Sequence, residues 1–350
     1  MTRLSNPRFW ILDRLPVELK IVVCSQLCAH CTGTTRAYPS RKLTELQENL
    51  DTLSSLSKTS RLLRNIAQPI LHHHFPFRRG YAITHLYLFI RTLVTQPDLA
   101  SDVCMLSLEC RLDALDKPAT LRNRYIARND SDFEQVVQAA TPFALQPPGE
   151  WYPFLPPHRL LSSKAFEFLA PLAIYLCKNS KAIDLYWPPF LHVLRRTFRH
   201  FKKQHPLVNI ERLCLSFDSL GWPRFNPGLL EDLNEYMPNL RTLQFYSFHT
   251  MDELHSIFYR WDLSLLTRID IIDCRLSYDT MATFLSSCSH LTDLTYISGF
   301  VDRREIREPV TKIIHDCCPK LHKTVRCLAL DDIGDTRSNP VYTSMQNLVW

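Results

Sequence analysis

The sequence predicts an α/β protein in two parts. A helical module covers residues 10–75, and strand–helix repeats stacked as a solenoid, their parallel strands forming one concave sheet, cover 76–350. Three observations carry this expectation. Two apolar stretches with helical spacing lie between Leu15 and Phe75. A short pattern of alternating apolar residues recurs seven times between Val103 and Leu330. Helical periodicity returns between several of its copies.

The first stretch reads Leu15-Pro16-Val17-Glu18-Leu19-Lys20-Ile21-Val22-Val23, with Leu19, Val22, Val23 and Leu27 on one helical face. Pro16 suits a first helical position, where a backbone N–H has no partner, and Glu18 suits the positive end of the helix dipole. The second stretch runs from Leu50 through Leu53 and Leu56 to Ser60, then Arg61-Leu62-Leu63-Arg64-Asn65-Ile66-Ala67-Gln68-Pro69-Ile70-Leu71. Pro69 is expected to kink or break this helix near its end. Residues 29–49 between the stretches read as an inserted loop, a lengthening that costs little closure entropy.

This pattern resembles the F-box of fungal F-box proteins, from the Leu-Pro-x-Glu-Leu opening at Leu15 to the Ser-x-x-Leu-Arg-x-x-Ala-x-Pro-Ile-Leu close ending at Leu71. The resemblance covers about a fifth of the chain, and the inserted loop departs from the family's short connection. It implies a three-helix module that docks on a Skp-type adaptor and joins a cullin-based ubiquitin ligase. It also implies adaptor contacts at Leu15, Pro16, Leu19, Leu53, Leu56 and Ser60.

Beyond the module, the recurring segments are Val103-x-x-Leu106-x-Leu108, Ala182-Ile183-Asp184-Leu185, Ile210-x-x-Leu213-x-Leu215 and Leu240-x-x-Leu243-x-Phe245, followed by Leu266-x-x-Ile269-x-Ile271, Leu291-x-x-Leu294-x-Tyr296 and Val325-x-x-Leu328-x-Leu330. Apolar residues alternate across the last positions of each, the mark of a short strand with one buried face. Leu229, Leu230, Leu233, Tyr236 and Met237 fit a helix face between strands, as do Met281, Phe284, Leu285 and Cys288, and Ile306, Val310, Ile313, Ile314 and Cys317. Pro238 and Pro319 stop two of these helices. One strand and one helix per ~25–30 residues is similar to the leucine-rich repeat, and Cys274 falls where that motif carries Asn or Cys. No such unit buries its apolar faces alone, so neighbours must stack, leaving a concave sheet to hold a partner. A conventional parallel α/β sheet is the competing arrangement. A proline-rich insertion at about 113–160, with six prolines from Pro142 to Pro157, is expected to interrupt the stack as irregular chain.

The composition, 45% hydrophobic and 22% charged, is that of a globular chain with a substantial core. A net charge of +6 permits an acidic partner without calling for nucleic acid. The N-terminal residues, with Arg3, Arg8, Asp13 and Arg14, lack the apolar core of a signal peptide. Leu169–Cys177 reaches only half of the ~18 residues a membrane span needs. The expectation is a protein of cytoplasm or nucleus, away from membranes, whose 12 cysteines are reduced.

Catalytic signatures are missing: no Gly-rich phosphate loop, no G-x-S-x-G and no H-E-x-x-H occurs. Cys24, Cys28, His30 and Cys31 are zinc-ligand types, yet their run matches no standard finger and lacks a second half-site, so Cys24 and Cys28 read as helix-packing residues. His72-His73-His74 cannot close on one ion from a helix and reads as a solvated helix end. No metal site and no cofactor are therefore expected. The basic run Arg195, Arg196, Arg199, Lys202 and Lys203 reads as a solvated repeat helix and as a weak candidate for gripping an acidic substrate segment.

The two halves together resemble the substrate receptor of an SCF-type ligase, which binds adaptor through one half and a protein substrate, unidentified here, through the other. Such a receptor is not itself an enzyme: it acts by holding substrate lysines near a charged carrier. The alternatives are a repeat scaffold with no ligase link and a metal-dependent enzyme using the Cys/His clusters.

Overall fold

The computed structural model describes residues 14–32, 40–75, 82–109, 130–143, 159–186, 207–216, 237–246, 263–272, 274, 278–298, 327–332 and 342–344. The N-terminal module comprises α1 (Val17–Gln26), α2 (Ala29–Thr32), α3 (Ser40–Thr59) and α4 (Arg61–His72). β1 (His74–Phe75) follows directly, then α5 (Ala82–Thr95), α6 (Pro97–Asp102), β2 (Met105–Glu109), α7 (Asp130–Ala140), α8 (Arg159–Leu176) and β3 (Ala182–Tyr186). The remaining elements are β4 (Arg212–Ser216), β5 (Thr242–Tyr246), β6 (Arg268–Ile272), α9 (Tyr278–Ser286), β7 (Asp293–Ser298), β8 (Cys327–Asp332) and β9 (Tyr342–Ser344).

The nine strands among the described residues form one sheet whose spatial order is their order along the chain. β1 to β8 are parallel and β9 returns antiparallel against β8. Each of the seven segments with the alternating pattern is a strand, β2 to β8. Their register is fixed by the apolar residues, because a slip of one position would turn every one of them to the opposite face. Leu106, Ile183, Leu213, Leu243, Ile269, Leu294 and Leu328 stand side by side across the sheet, as do Leu108, Leu185, Leu215, Phe245, Ile271, Tyr296 and Leu330. Most of these side chains join one core with Leu86, Ile90 and Leu93 of α5, Val136 of α7, Leu169 and Leu172 of α8, and Phe284 of α9. Burying each large apolar side chain contributes ~1.5–3 kcal/mol.

A tight turn precedes the strands and repeats with them. Ile210 N–H donates to the Leu207 carbonyl, Leu240 to Met237 and Leu266 to Leu263, each at 3.1 Å. Asn209 reaches back with its Nδ2 to the Lys178 carbonyl at 3.1 Å, and Asn239 does the same to Val208 at 2.7 Å. These bonds tie the turns before β4 and β5 to the turn that precedes each.

Several local expectations need correction. Residues 29–49 are not a plain loop: Ala29–Thr32 is a helical turn and α3 is helical from Ser40 onward. Pro69 does not end α4, which runs on to His72. It sits in the last turn, with only three helical residues beyond it for the missing bond and ring to displace. The insertion at 113–160 contains α7, whose Val136 and Ala140 are fully buried. Here the apolar pair, four residues apart, finds the core despite the proline-rich chain that follows. Pro16 is the N-cap residue rather than the first helical one, and its carbonyl accepts from Lys20 N–H at 3.1 Å. β1 and β9 were not foreshadowed by any repeat of the pattern. The helices expected near Leu229–Met237 and Ile306–Cys317 lie almost wholly outside the described residues. Among the described residues no helix is long and apolar enough to cross a membrane.

Candidate functional site

The module closes around a small core of its own. Cys24 and Cys28 meet Leu53 and Leu56 of α3 and Leu63, Ile66, Ala67 and Ile70 of α4. α1 contributes to it from an unexpected side, since Lys20 and Cys24 turn inward. Val17, Leu19, Ile21, Val22 and Val23 consequently remain 39–52% exposed around the rest of one short helix, with Leu19, Val22 and Val23 in a row on the side opposite Cys24. Pro16 is exposed beside that row and Leu15 is half-buried. Scattered surface leucines are ordinary, but five such residues in seven positions form a patch of the kind that marks contact with another molecule.

The six residues assigned to adaptor contact thus divide. Leu15, Pro16 and Leu19 stand at or near the surface. Leu53 is fully buried and Leu56 nearly so, and both hold α3 against its neighbours. Ser60 is the N-cap of α4: its Oγ accepts from Leu63 N–H at 3.2 Å, which satisfies a donor that helix geometry leaves unpaired. The sequence pattern identified these positions without separating surface from scaffold, because a leucine at helical spacing serves either.

On the sheet face opposite the apolar core, polar side chains stand in register. Ser107, Asp184, Cys214, Gln244, Asp270 and Thr295 pair position by position across β2 to β7. Ser107 Oγ donates to Asp184 Oδ2 at 3.2 Å and meets His74 Nε2 at 3.0 Å. Arg268 approaches both oxygens of Asp270, Nη2 to Oδ1 at 3.0 Å and Nε to Oδ2 at 3.1 Å, and Gln244 donates to the same carboxylate. Serine lies between aspartate and histidine, whereas a hydrolytic triad needs the histidine in the middle, so this chain of bonds does not activate a nucleophile. Burial pushes the His74 imidazole down to about 3, helped by the nearby Arg212 and His30. That ring is neutral, buried and part of the sheet, not a solvated helix end.

Two sequence clusters that seemed unrelated meet in space. Cys28, His30, Cys31 and His73 place one ligand-type atom each within 4.8 Å of all the others. Cys31 Sγ lies 3.3 Å from His73 Nδ1 and 3.9 Å from His30 Nδ1, and the two imidazoles sit edge to face with centroids 5.7 Å apart. Burial lowers both imidazoles from their ordinary range, and their mutual repulsion adds to this for His30. Burial raises the Cys28 thiol to about 12. Sequence reasoning weighed Cys28, His30 and Cys31 as zinc-ligand types and set them aside for want of a second half-site, although Cys28-x2-Cys31 is a spacing common in zinc sites. It passed over His73 because that residue follows the end of α4 instead of lying within it.

Arg195, Arg196, Arg199, Lys202 and Lys203 lie outside the described residues. Comparison with known protein families finds no family whose model matches this chain, and comparison with curated proteins finds no match.

Proposed function

We propose that the chain is the substrate-recognition subunit of an SCF-type ubiquitin ligase, with the exposed row on α1 as its adaptor-docking surface and the sheet of strand–helix repeats, of leucine-rich type, as its substrate-holding half. The observation that carries this reading is the row itself: Leu19, Val22 and Val23 beside the Leu15-Pro16 opening that resembles an F-box. A helix held by its own module through Lys20 and Cys24 turns Leu19, Val22 and Val23 outward together, an i, i+3, i+4 stripe suited to insertion into a partner's groove. Each side chain is already about half-covered, so docking removes the remainder from water and contributes ~1 kcal/mol apiece. Leu19, Val22 and Val23 together, with Leu15 and Pro16, are comparable to the lower estimates of the cost of association, ~4 kcal/mol and upward.

The strand order supports the second half of the reading. Parallel strands stacked in chain order, with turns tied from one repeat to the next, form a repeat stack whose second face carries the buried polar side chains Ser107, Asp184, Gln244 and Asp270. The protein's contribution is then positioning, which needs no catalytic group of its own.

The test is co-purification of the full chain with a Skp-type adaptor and a cullin core. Wild type should be retained, and Leu19→Asp should lose retention while its thermal unfolding stays within about 2 °C of wild type, since exposed positions change stability little. Retention of Leu19→Asp at the wild-type level would overturn α1 as the docking surface. Failure of wild type itself to bind would leave a repeat scaffold with no ligase connection.

A further inference from the structure

We propose that Cys28, His30, Cys31 and His73 form a structural zinc site that ties the end of α1 and the α2 turn to the end of α4, where the N-terminal module hands over to β1. This inference is independent of the adaptor reading, because none of the four residues belongs to the exposed row on α1.

The ligand set is the first reason. Two thiols and two imidazoles around a point are the donors of a tetrahedral S2N2 site, a combination diagnostic for zinc among common divalent ions. The scale fits as well. With Zn–S of about 2.3 Å and Zn–N of about 2.05 Å, tetrahedral edges measure about 3.3–3.8 Å. The observed Cys31–His73 and Cys31–His30 separations are 3.3 and 3.9 Å, and every pair in the set falls within 4.8 Å. Small side-chain rotations close the rest.

The placement is the second reason. Cys28 begins a helical turn: its carbonyl accepts from Thr32 N–H and from Thr32 Oγ1, both at 3.0 Å, and its own N–H donates to the Ser25 carbonyl. His73 stands where α4 hands over to β1, and its carbonyl accepts from both Cys104 and Met105 N–H at 2.9 Å. Both anchors are therefore fixed by backbone bonds before any ion arrives. His72, by contrast, turns back to the Gln68 carbonyl and His74 to Ser107, so one histidine of the three is directed at the cluster.

Binding replaces the Cys28 and Cys31 protons, which leave to solvent, and the two thiolates balance the ion's charge. Four protein donors leave no coordination position for water, so the site is structural and supplies no hydrolytic chemistry. The ion joins residue 31 to residue 73 and so closes the segment that contains α3 and α4.

The test uses full-length protein with any affinity tag removed. Elemental analysis should find about one zinc per chain, and Cys31→Ser and His73→Gln should each weaken zinc by more than the ~10–100-fold typical of losing only a supporting hydrogen bond. His72→Gln should retain the metal. Cys31 is exposed, so its replacement does not disturb the fold through packing. Cobalt should substitute with the intense visible bands and thiolate charge transfer of a tetrahedral S2N2 ion. Chelation should speed amide exchange at Thr32, Cys104 and Met105, the donors to Cys28 and His73. Failure of the wild-type protein to take up zinc, equal zinc in Cys31→Ser, or weak six-coordinate cobalt bands would overturn the proposal.

Discussion

Two buried aspartates on the sheet face show how much a carboxylate depends on its immediate partners. Asp270 has an arginine across both oxygens and a glutamine amide besides. Asp184 has one hydroxyl bond from Ser107, and Arg212 Nη2 stands 3.6 Å from its Oδ1, close enough for charge and too far for a hydrogen bond. Burial therefore prevails and raises the Asp184 carboxyl to about 6, against the opposing pull of Arg212 and Ser107. The folded-state value lies above the unfolded one, so the folded protein holds its proton to higher pH. Stability from this group is complete below about pH 4, falls as pH rises to about 6, and stays reduced above that, by up to ~3 kcal/mol. Asp184→Asn keeps an acceptor for Ser107 and cannot ionise. Urea unfolding from pH 4 to pH 7 should lose this component of the slope in the variant, and an unchanged slope would show that Asp184 ionises as freely when folded as when unfolded. The sequence announced neither aspartate as special, since a carboxylate at an alternate strand position reads as solvent-facing, and Ser107, Arg212 and Gln244 reach the two aspartates from neighbouring strands.

At the scale of the element, α1, α3 and α4 separate two tasks that the leucine pattern runs together. Leu53 is fully buried in the module core, whereas Leu19 is 48% exposed on α1. Leu53→Ala should cost ~2–5 kcal/mol and lower the unfolding temperature of the module. Ser60→Ala should cost about 1 kcal/mol through loss of the α4 cap, and Ser60→Asp should restore most of it because aspartate caps equally well. If Ser60→Ala abolished adaptor retention with no change in thermal unfolding, Ser60 would be a contact residue and not a cap. The helices themselves were legible: spacing located α1 and α4, and alternation located β2 to β8. What spacing could not supply was direction. α1 is apolar on several sides, so which side faces inward depends on Lys20 and Cys24 meeting α4, a tertiary fact. The same limit hid the Cys/His cluster, whose halves are 42 residues apart in Cys31 and His73 and meet only because α3 and α4 fold back on each other.

For the molecule as a whole, the chain-ordered sheet makes mechanical cooperation local. The module core and the sheet core share no residue, and each strand bonds only to the strands before and after it. In such a stack stability is close to a sum of unit and nearest-neighbour terms, so damage spreads by contact and fades with distance. Leu243 sits in β5 with no exposure, paired between Leu213 and Ile269. Leu243→Ala removes buried atoms from one repeat and loosens its packing on the two adjoining strands, at a cost of ~2–5 kcal/mol. Hydrogen exchange should report this as faster opening of β4, β5 and β6, while the amides of α3 and α4 keep their wild-type protection. The turn bonds sharpen the expectation, because Asn239 ties the turn before β5 to Val208 and so carries the loosening backward to the β4 repeat. Equal loss of protection in α3, α4 and β5 would mean that module and sheet open as one cooperative body. Such uniform opening in metal-loaded protein that becomes local on chelation would instead locate the coupling in the clasp at Cys28, His30, Cys31 and His73, whose last member stands between α4 and β1.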